Sequence, residues 1–256
     1  MGVLEKFRMD GKKGFITGSG QGIGKALAEG FAEAGAEFAV ADINLENAKA
    51  VATDLSERYH CRIIAVHCDV TSPESVEAMV NQVVETYGTV DFAINDAGIV
   101  NFYPLEEVKL EDWKKVLDVN LIGVLLCSQA AARVMIRQHK KGTITNMASM
   151  SSHIINVPQT TSSYCTSKAA VAHLTKSMAV EWAKYGIRVN CVSPGYISNE
   201  LNDNFSDATK GWIEATPQKR MGQAEELCGA YLFLASDASS YATGTDLVID
   251  GGYTLV

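Results

Sequence analysis

Short apolar runs alternate with longer amphipathic segments from residue 13 to about residue 195. KGFITG at 13–18 reads as a first strand, and the helical spacing that follows predicts a helix over about 22–35. FAVADI (38–43) predicts a second strand, LENAKAVATDLSERY (45–59) a helix, and IIAVHCDV (63–70) a third strand, with a helix beginning after Pro73. VDFAINDAG (90–98) supplies a fourth strand, and a long helix runs over about 111–138 with a break near Gly123. GTITNMAS (142–149) gives a fifth strand, 163–185 another helix, and IRVNCVSPG (187–195) a sixth strand ending at Pro194. Strands apolar on both faces and separated by helices are what a parallel sheet covered on both sides requires. The pattern predicts an α/β three-layer, doubly wound parallel sheet (a Rossmann fold) in a single domain over 1–256.

Beyond residue 195 the rhythm loosens. Residues 196–216 are polar and punctuated, in keeping with a partly helical lid, AEELCGAYLFLAS (224–236) returns to helix, and TDLVIDGG (245–252) makes a last short strand. A hydrophobic content of 47% is enough for a large core. The formal net charge of −8 argues against a surface that neutralises nucleic-acid phosphates, so no nucleic-acid partner is expected. The 6 cysteines form no CxxC pair, the opening segment lacks a signal-peptide pattern, and no uninterrupted apolar run reaches a membrane span. A cytoplasmic location with no membrane partner is the resulting expectation, and the histidines show no ligand-like spacing that would predict a metal.

TGSGQGIG (17–24) follows the first strand and opens the first helix, the setting in which a glycine-rich turn binds a dinucleotide pyrophosphate. Gly18 permits the tight turn, Gly22 a close backbone approach and Gly24 close helix packing, with Gln21 and Ile23 in the same cradle. Asp42, followed by Ile43, stands at the end of the second strand, where a carboxylate accepts both hydroxyls of an adenosine ribose and repels a 2'-phosphate. No Arg or Lys occurs in 37–48, so NAD is expected as cofactor in preference to NADP. Asp69, with the Val70 backbone, is a candidate for the adenine amino group, and helix capping is the competing reading.

SSYCTSKAAVAHL (162–174) places Tyr164 four residues before Lys168 on one helical face. A tyrosine is a poor base near neutrality unless a nearby cation stabilises its phenolate, and Lys168 is spaced to supply that charge. Ser149 ends the fifth strand, where strand C-termini meet the ligand crevice. Taken together, TGSGQGIG, NDAG (95–98), Asn120 in DVNLIG, Ser149, YCTSK and SPGYIS (193–198) resemble the short-chain dehydrogenase/reductase family from about residue 10 to the C-terminus. The resemblance implies Tyr164 as acid/base, Ser149 as orienter, Lys168 as partner of the nicotinamide ribose, and Asn120 as holder of a relay water. It further implies that Asn95, Ala97, Gly98, Pro194, Gly195 and Ile197 line the cofactor, and that the chain is a homotetramer.

Two features depart from the family pattern. Asp96 replaces the second Asn of NNAG. Ser149 stands two residues farther from Tyr164 than is common, while Ser151 has the usual separation and is the rival catalytic serine. For a small-molecule substrate the candidate contacts are Ser149, Ser151, His153, Asn156, Gln159, Tyr164, Tyr196, Glu200 and the 201–216 segment. SMSSHIINVPQ resembles the corresponding loop of polyol and ketose reductases, including mannitol and sorbose enzymes, several of which prefer NADP. The expected reaction interconverts a secondary alcohol of a polyol or sugar and its ketone. Trp212 and Phe205 offer the alternative of an apolar wall for a steroid, oxoacyl or simple alcohol substrate, and a non-catalytic NAD-binding protein is the remote third reading.

Overall fold

The structure, a computed structural model, describes residues 2–198 and 206–256. Its centre is a sheet of seven strands in the order β3-β2-β1-β4-β5-β6-β7, all pairs parallel. They are β1 (Lys13–Thr17), β2 (Glu37–Asp42), β3 (Ile63–His67), β4 (Phe92–Asn95), β5 (Gly142–Met147), β6 (Ile187–Pro194) and β7 (Asp246–Ile249). The helices are α1 (Gly22–Glu33), α2 (Leu45–Tyr59), α3 (Pro73–Tyr87), α4 (Leu110–Leu117), α5 (Gly123–Arg137), α6 (Ser162–Trp182), α7 (Ser206–Ala215) and α8 (Cys228–Ala235). The order in which strands are added reverses beside β1, whose neighbours are β2 and β4, and this opens a crevice at the carboxyl ends of the strands.

Period-2 alternation on β1 divides the core. Ile16 faces a cluster with Leu27, Phe31, Phe38 and Phe92, whereas Phe15 faces Ala39, Val66, Met79, Met135 and Ile144 on the other side. Both faces are apolar because helices cover both. Local chemistry sets the ends of the helices on the way: Asn44 accepts from the Asn47 N–H at the start of α2, and Ser72, ahead of Pro73, accepts from Ser75 N–H at the start of α3.

The expected break near Gly123 is a π-helical segment, Asp118–Ile122, between α4 and α5. Gly123 sits against β3's continuation, where a Cβ would come within 2.8 Å of Val70 Cγ2, so only glycine lets α5 approach this closely. The apolar residues Val124, Cys127, Ala131, Val134 and Met135 are buried, which accounts for the hydropathy of the Leu110–Arg137 run. The leading segment, which has no predicted element, forms a 3-10 turn at Leu4–Phe7, with Phe7 6.2 Å from Phe233 between ring centroids. Of the expected 196–216 lid, 199–205 lie outside the described residues, Glu200 and Phe205 among them.

Candidate active site

The glycine turn connects β1 to α1. Gly18 has φ +68°, and a Cβ there would lie 2.7 Å from Ala97 Cα; at Gly24 it would lie 2.4 Å from the Gly18 carbonyl oxygen. Gly22 has φ +56° with open space where its Cβ would be. Gln21 caps α1 without a side-chain bond, so the first N–H groups of the helix face an open backbone cradle. That arrangement fits the pyrophosphate of a dinucleotide. Ile43 is 65% exposed beyond the end of β2, beside the cradle, and offers an apolar platform.

Asp42 is buried, and both of its oxygens are engaged: Oδ2 accepts from Gly20 N–H and Oδ1 from Asn44 N–H, each at 2.9 Å. The carboxylate therefore pins the glycine turn to the end of β2. At Asp69, Oδ1 accepts from the Thr71 N–H (2.9 Å) and hydroxyl (2.7 Å), and these bonds hold its carboxyl below the usual carboxylate range. This is a local turn ahead of α3, whose cap is Ser72. Val70 is buried against α5.

Tyr164 and Lys168 stand one turn apart on α6, with the Lys168 Nζ 5.6 Å from the phenol ring centroid. Lys168 is buried and donates to the Met147 carbonyl at the end of β5 (2.8 Å). Burial pushes the ammonium below its ordinary value, and the Asp96 charge opposes this. Tyr164 differs from the expectation of a lowered phenol: burial raises it, the Ser149 hydroxyl pulls it back, and Cys165 and Asp96 add to the rise. Ser149, extended at φ −170°, closes β5; its Oγ accepts from Ser151 N–H and lies 3.1 Å from Ser151 Oγ. The Ser149 hydroxyl opposes the rise of the Tyr164 phenol, and Ser151 contacts Ser149 from the following turn.

Asn120 lies within the π segment and is fully buried. Its Oδ1 accepts from Ile99 N–H (2.8 Å), and its Nδ2 donates to the Ile99 carbonyl (2.9 Å) and Ser167 Oγ (3.0 Å). The side chain thereby clips the segment that runs past Gly98 to α6. Gly98 reaches the lysine: a Cβ on it would be 3.6 Å from Lys168 Nζ. Thr17 Oγ1 accepts from the N–H groups of Asp96 (3.2 Å) and Ala97 (3.3 Å), and so holds this segment against the glycine turn.

Asn95 Nδ2 donates to Ser128 Oγ and Asn146 Oδ1, both at 2.8 Å, and Asn146 in turn donates to Thr175 Oγ1 (2.9 Å). The side chain thus enters a buried polar network joining β4, β5, α5 and α6. Pro194 pairs with Ile249, and a Cβ on Gly195 would meet Asp250 Cα at 2.6 Å, so this turn packs against the end of β7. Ile197 is buried and bridges Gly222.

The loop after Ser149 carries the polar groups expected for substrate. Ser151 Oγ donates to Asn156 Oδ1 (2.5 Å), Asn156 Nδ2 to Tyr196 OH (3.2 Å), and Tyr196 OH to Gln159 Oε1 (2.9 Å). His153 Nε2 is 2.9 Å from Asp246 Oδ2, Asp246 Oδ1 accepts from Ser193 Oγ (2.6 Å), and His153 also lines the cavity beside the loop. Trp212 is buried and stacks on Tyr196 at 4.3 Å and 5°, so it supports the polar loop and offers no open apolar wall. A cavity of about 420 Å³ flanks the loop, lined in part by Tyr103, Ile154, Gln159, Thr161 and Cys165. Ser151 reaches it, whereas Ser149, Tyr164 and Lys168 are not in its lining.

A family profile described as Enoyl-(Acyl carrier protein) reductase matches residues 18–254. The chain is 49% identical to a crystallised short-chain type dehydrogenase/reductase from Mycobacterium marinum, with a TM-score of 0.97 and 100% of both chains covered. The chain belongs to the short-chain dehydrogenase/reductase family. Within it, a sorbose reductase of Candida albicans is 41% identical, and a probable NADP-dependent mannitol dehydrogenase of Yarrowia lipolytica 42% identical, each over 98% of this chain and 90% of the relative. A gluconate 5-dehydrogenase from Burkholderia cenocepacia, solved with NADP and tartrate, is 39% identical with a TM-score of 0.94 over 100% of both chains.

This short-chain enzyme is accordingly an NAD(P)-dependent oxidoreductase and kin to polyol and ketose dehydrogenases. The expectation of NAD over NADP is overturned, since several similar proteins, the mannitol dehydrogenase and the gluconate 5-dehydrogenase among them, are named with NADP. Both Asp42 oxygens accept backbone N–H groups, from Gly20 and Asn44, so this acidic residue fixes the loop beside the cradle. Sequence reasoning missed Thr17, Ser128, Asn146 and Thr175. Their signal is a polar side chain inside an otherwise apolar strand or helix face, which burial obliges to find a partner.

Proposed function

We propose that the protein interconverts a secondary alcohol of a polyol or sugar and its ketone, with Tyr164 as the group that gives and takes the proton. The observation that carries the proposal is the constellation at the strand ends: Ser149 acting on the Tyr164 phenol, buried Lys168 over the ring, and an open glycine cradle across the crevice. In the ketone-reducing direction the Tyr164 hydroxyl donates its proton to the carbonyl oxygen, and Ser149 Oγ fixes that oxygen by a hydrogen bond. In the oxidising direction the phenolate takes the alcohol proton. Lys168 holds positive charge near the phenolate and carries donors toward the cofactor ribose. The dinucleotide, when bound, supplies or accepts the hydride; following the named relatives, it is NADP(H).

A polyhydroxylated substrate is supported by the Ser151, Asn156, Gln159 and Tyr196 chain beside Ser149, and by the sorbose and mannitol relatives. The test is NADPH consumption over a panel of ketoses, with hydroxysteroids and simple ketones as controls. Turnover confined to ketoses supports the reading, and turnover confined to apolar ketones sinks it. A homotetramer in the cytoplasm completes the proposal, supported by the exposed apolar residues Leu110 (61%) and Val180 (80%) on α4 and α6 and by six free cysteines. Light scattering on the purified protein measures the assembly.

A further inference from the structure

Asn156, in the loop between β5 and α6, inverts the order expected of an exposed loop: it is 3% exposed, while its apolar neighbours Ile155 and Val157 are 71% and 73% exposed. Burying an amide costs free energy unless its donors and acceptor find partners, so the inward turn marks a set of bonds that this loop is shaped to make. The partners come from three places in the fold. Asn156 Oδ1 accepts from Ser151 Oγ, just after β5, at 2.5 Å and lies 4.0 Å from Cys165 Sγ on α6; Nδ2 donates to Tyr196 OH, just after β6, at 3.2 Å.

Donors and acceptors along this chain of groups run one way. Ser149 Oγ donates to Ser151 Oγ (3.1 Å), Ser151 Oγ to Asn156 Oδ1, Asn156 Nδ2 to Tyr196 OH, and Tyr196 OH to Gln159 Oε1 (2.9 Å). A hydroxyl has one hydrogen to give. Because the Asn156 oxygen takes that of Ser151, the Ser151 oxygen is left to accept from Ser149, while the Ser151 N–H donates to Ser149 Oγ at 3.1 Å. Ser149 Oγ is thereby held through both its hydrogen and one lone pair. The second lone pair is left for a reacting hydroxyl, and the hydrogen turns from Ser151 to a ketone oxygen when the reaction runs the other way. The far end of the chain is fixed as well, since Tyr196 stacks on Trp212 at 4.3 Å and meets Tyr253 edge-on at 5.2 Å.

We infer that Asn156 is a positioning residue for the reaction: through Ser151 it holds the Ser149 hydroxyl in the place from which Ser149 binds the reacting oxygen. The inference rests on Ser149 as the orienter of that oxygen. Without the amide, Ser151 loses the acceptor that fixes its hydroxyl, and Ser149 loses a partner of defined direction. Asn156 is buried and reaches Ser149 through Ser151, so its removal weakens the grip on the reacting oxygen in the transition state and the loss falls on kcat.

The test is a double-mutant cycle on NADPH oxidation with the ketose that the unaltered enzyme turns over fastest. Asn156→Ala and Ser151→Ala are each expected to lower kcat by on the order of tenfold, the kinetic equivalent of about one hydrogen bond, with KM little changed. The double variant should lose no more than the greater single loss, because both changes cut one relay. A second cycle leaves Asn156 in place and carries the test if Asn156→Ala does not fold: Tyr196→Phe keeps the stack on Trp212 but removes the hydroxyl that holds Nδ2, and its loss should likewise fail to multiply with that of Ser151→Ala. Losses that multiply, a kcat that stays in place, or a KM that rises at unchanged kcat overturn the proposal, the last by making Asn156 a substrate contact. Ser149→Ala separates the two claims: if it retains full turnover, the orienter reading fails, and if it loses turnover while Asn156→Ala and Ser151→Ala keep theirs, only the role of Asn156 fails.

Discussion

At Tyr164 two effects oppose one another. Burial favours the neutral phenol, while the Ser149 hydroxyl favours the phenolate, and burial prevails. A raised phenol keeps its proton through neutrality, so the site is loaded as an acid for ketone reduction and must be deprotonated before it oxidises an alcohol. Initial rates should therefore show reduction flat near neutral pH and falling at alkaline pH, and oxidation rising with pH. An oxidation rate already at its plateau in mildly acidic buffer would contradict this. Replacing Tyr164 by Phe should lower turnover by roughly 10²–10⁴-fold, the usual contribution of a positioned acid/base, with dinucleotide binding retained by fluorescence titration. At this scale the sequence reads chemistry well and surroundings badly. Ser149, Tyr164 and Lys168 meet as expected, but Asn95 turns into a buried network and both oxygens of Asp42 hold backbone, because spacing along a chain does not say which partner a polar side chain finds.

Among the elements, the order and type of strands and helices were legible, and the 45–59 prediction matches α2 as it stands, whereas strand ends were read too long, 90–98 against Phe92–Asn95 for β4. The reason is that burial on both sheet faces imposes an apolar pattern that local sequence displays. The π segment at Asp118–Ile122 was visible only as a break near Gly123, since its geometry depends on Asn120 bonding Ile99 and Ser167 from other parts of the chain. The placement of His153 against Asp246, 93 residues away, has the same origin. A tight spot in the sheet gives a direct test of packing. A Cβ on Gly14 would stand 2.2 Å from the Phe92 carbonyl oxygen, between β1 and β4. Gly14→Ala should destabilise the protein by about 1–3 kcal/mol or more, seen as a lower urea midpoint. An unchanged midpoint would mean that β1 and β4 are less closely apposed than described.

For the whole molecule, function follows from where the sheet opens. The turn after β1 offers the glycine cradle, β4 leads into the segment of Asp96 and Gly98, and β5 leads to Ser149 against α6, so the carboxyl edge of one sheet gathers a dinucleotide cradle and an acid/base site. The 150–161 loop, tied to Tyr196 and Asp246, adds polar groups on the flank where the remainder of a polyhydroxylated substrate would lie. The measurement that bears most directly on the whole account is NADPH oxidation by the purified protein with a set of ketoses, sorbose and the ketose of mannitol among them, run side by side with Tyr164→Phe. The account predicts turnover of one or more ketoses that the Tyr164→Phe protein loses. Equal rates in the two proteins, or no ketose turned over while an apolar ketone is, would contradict it.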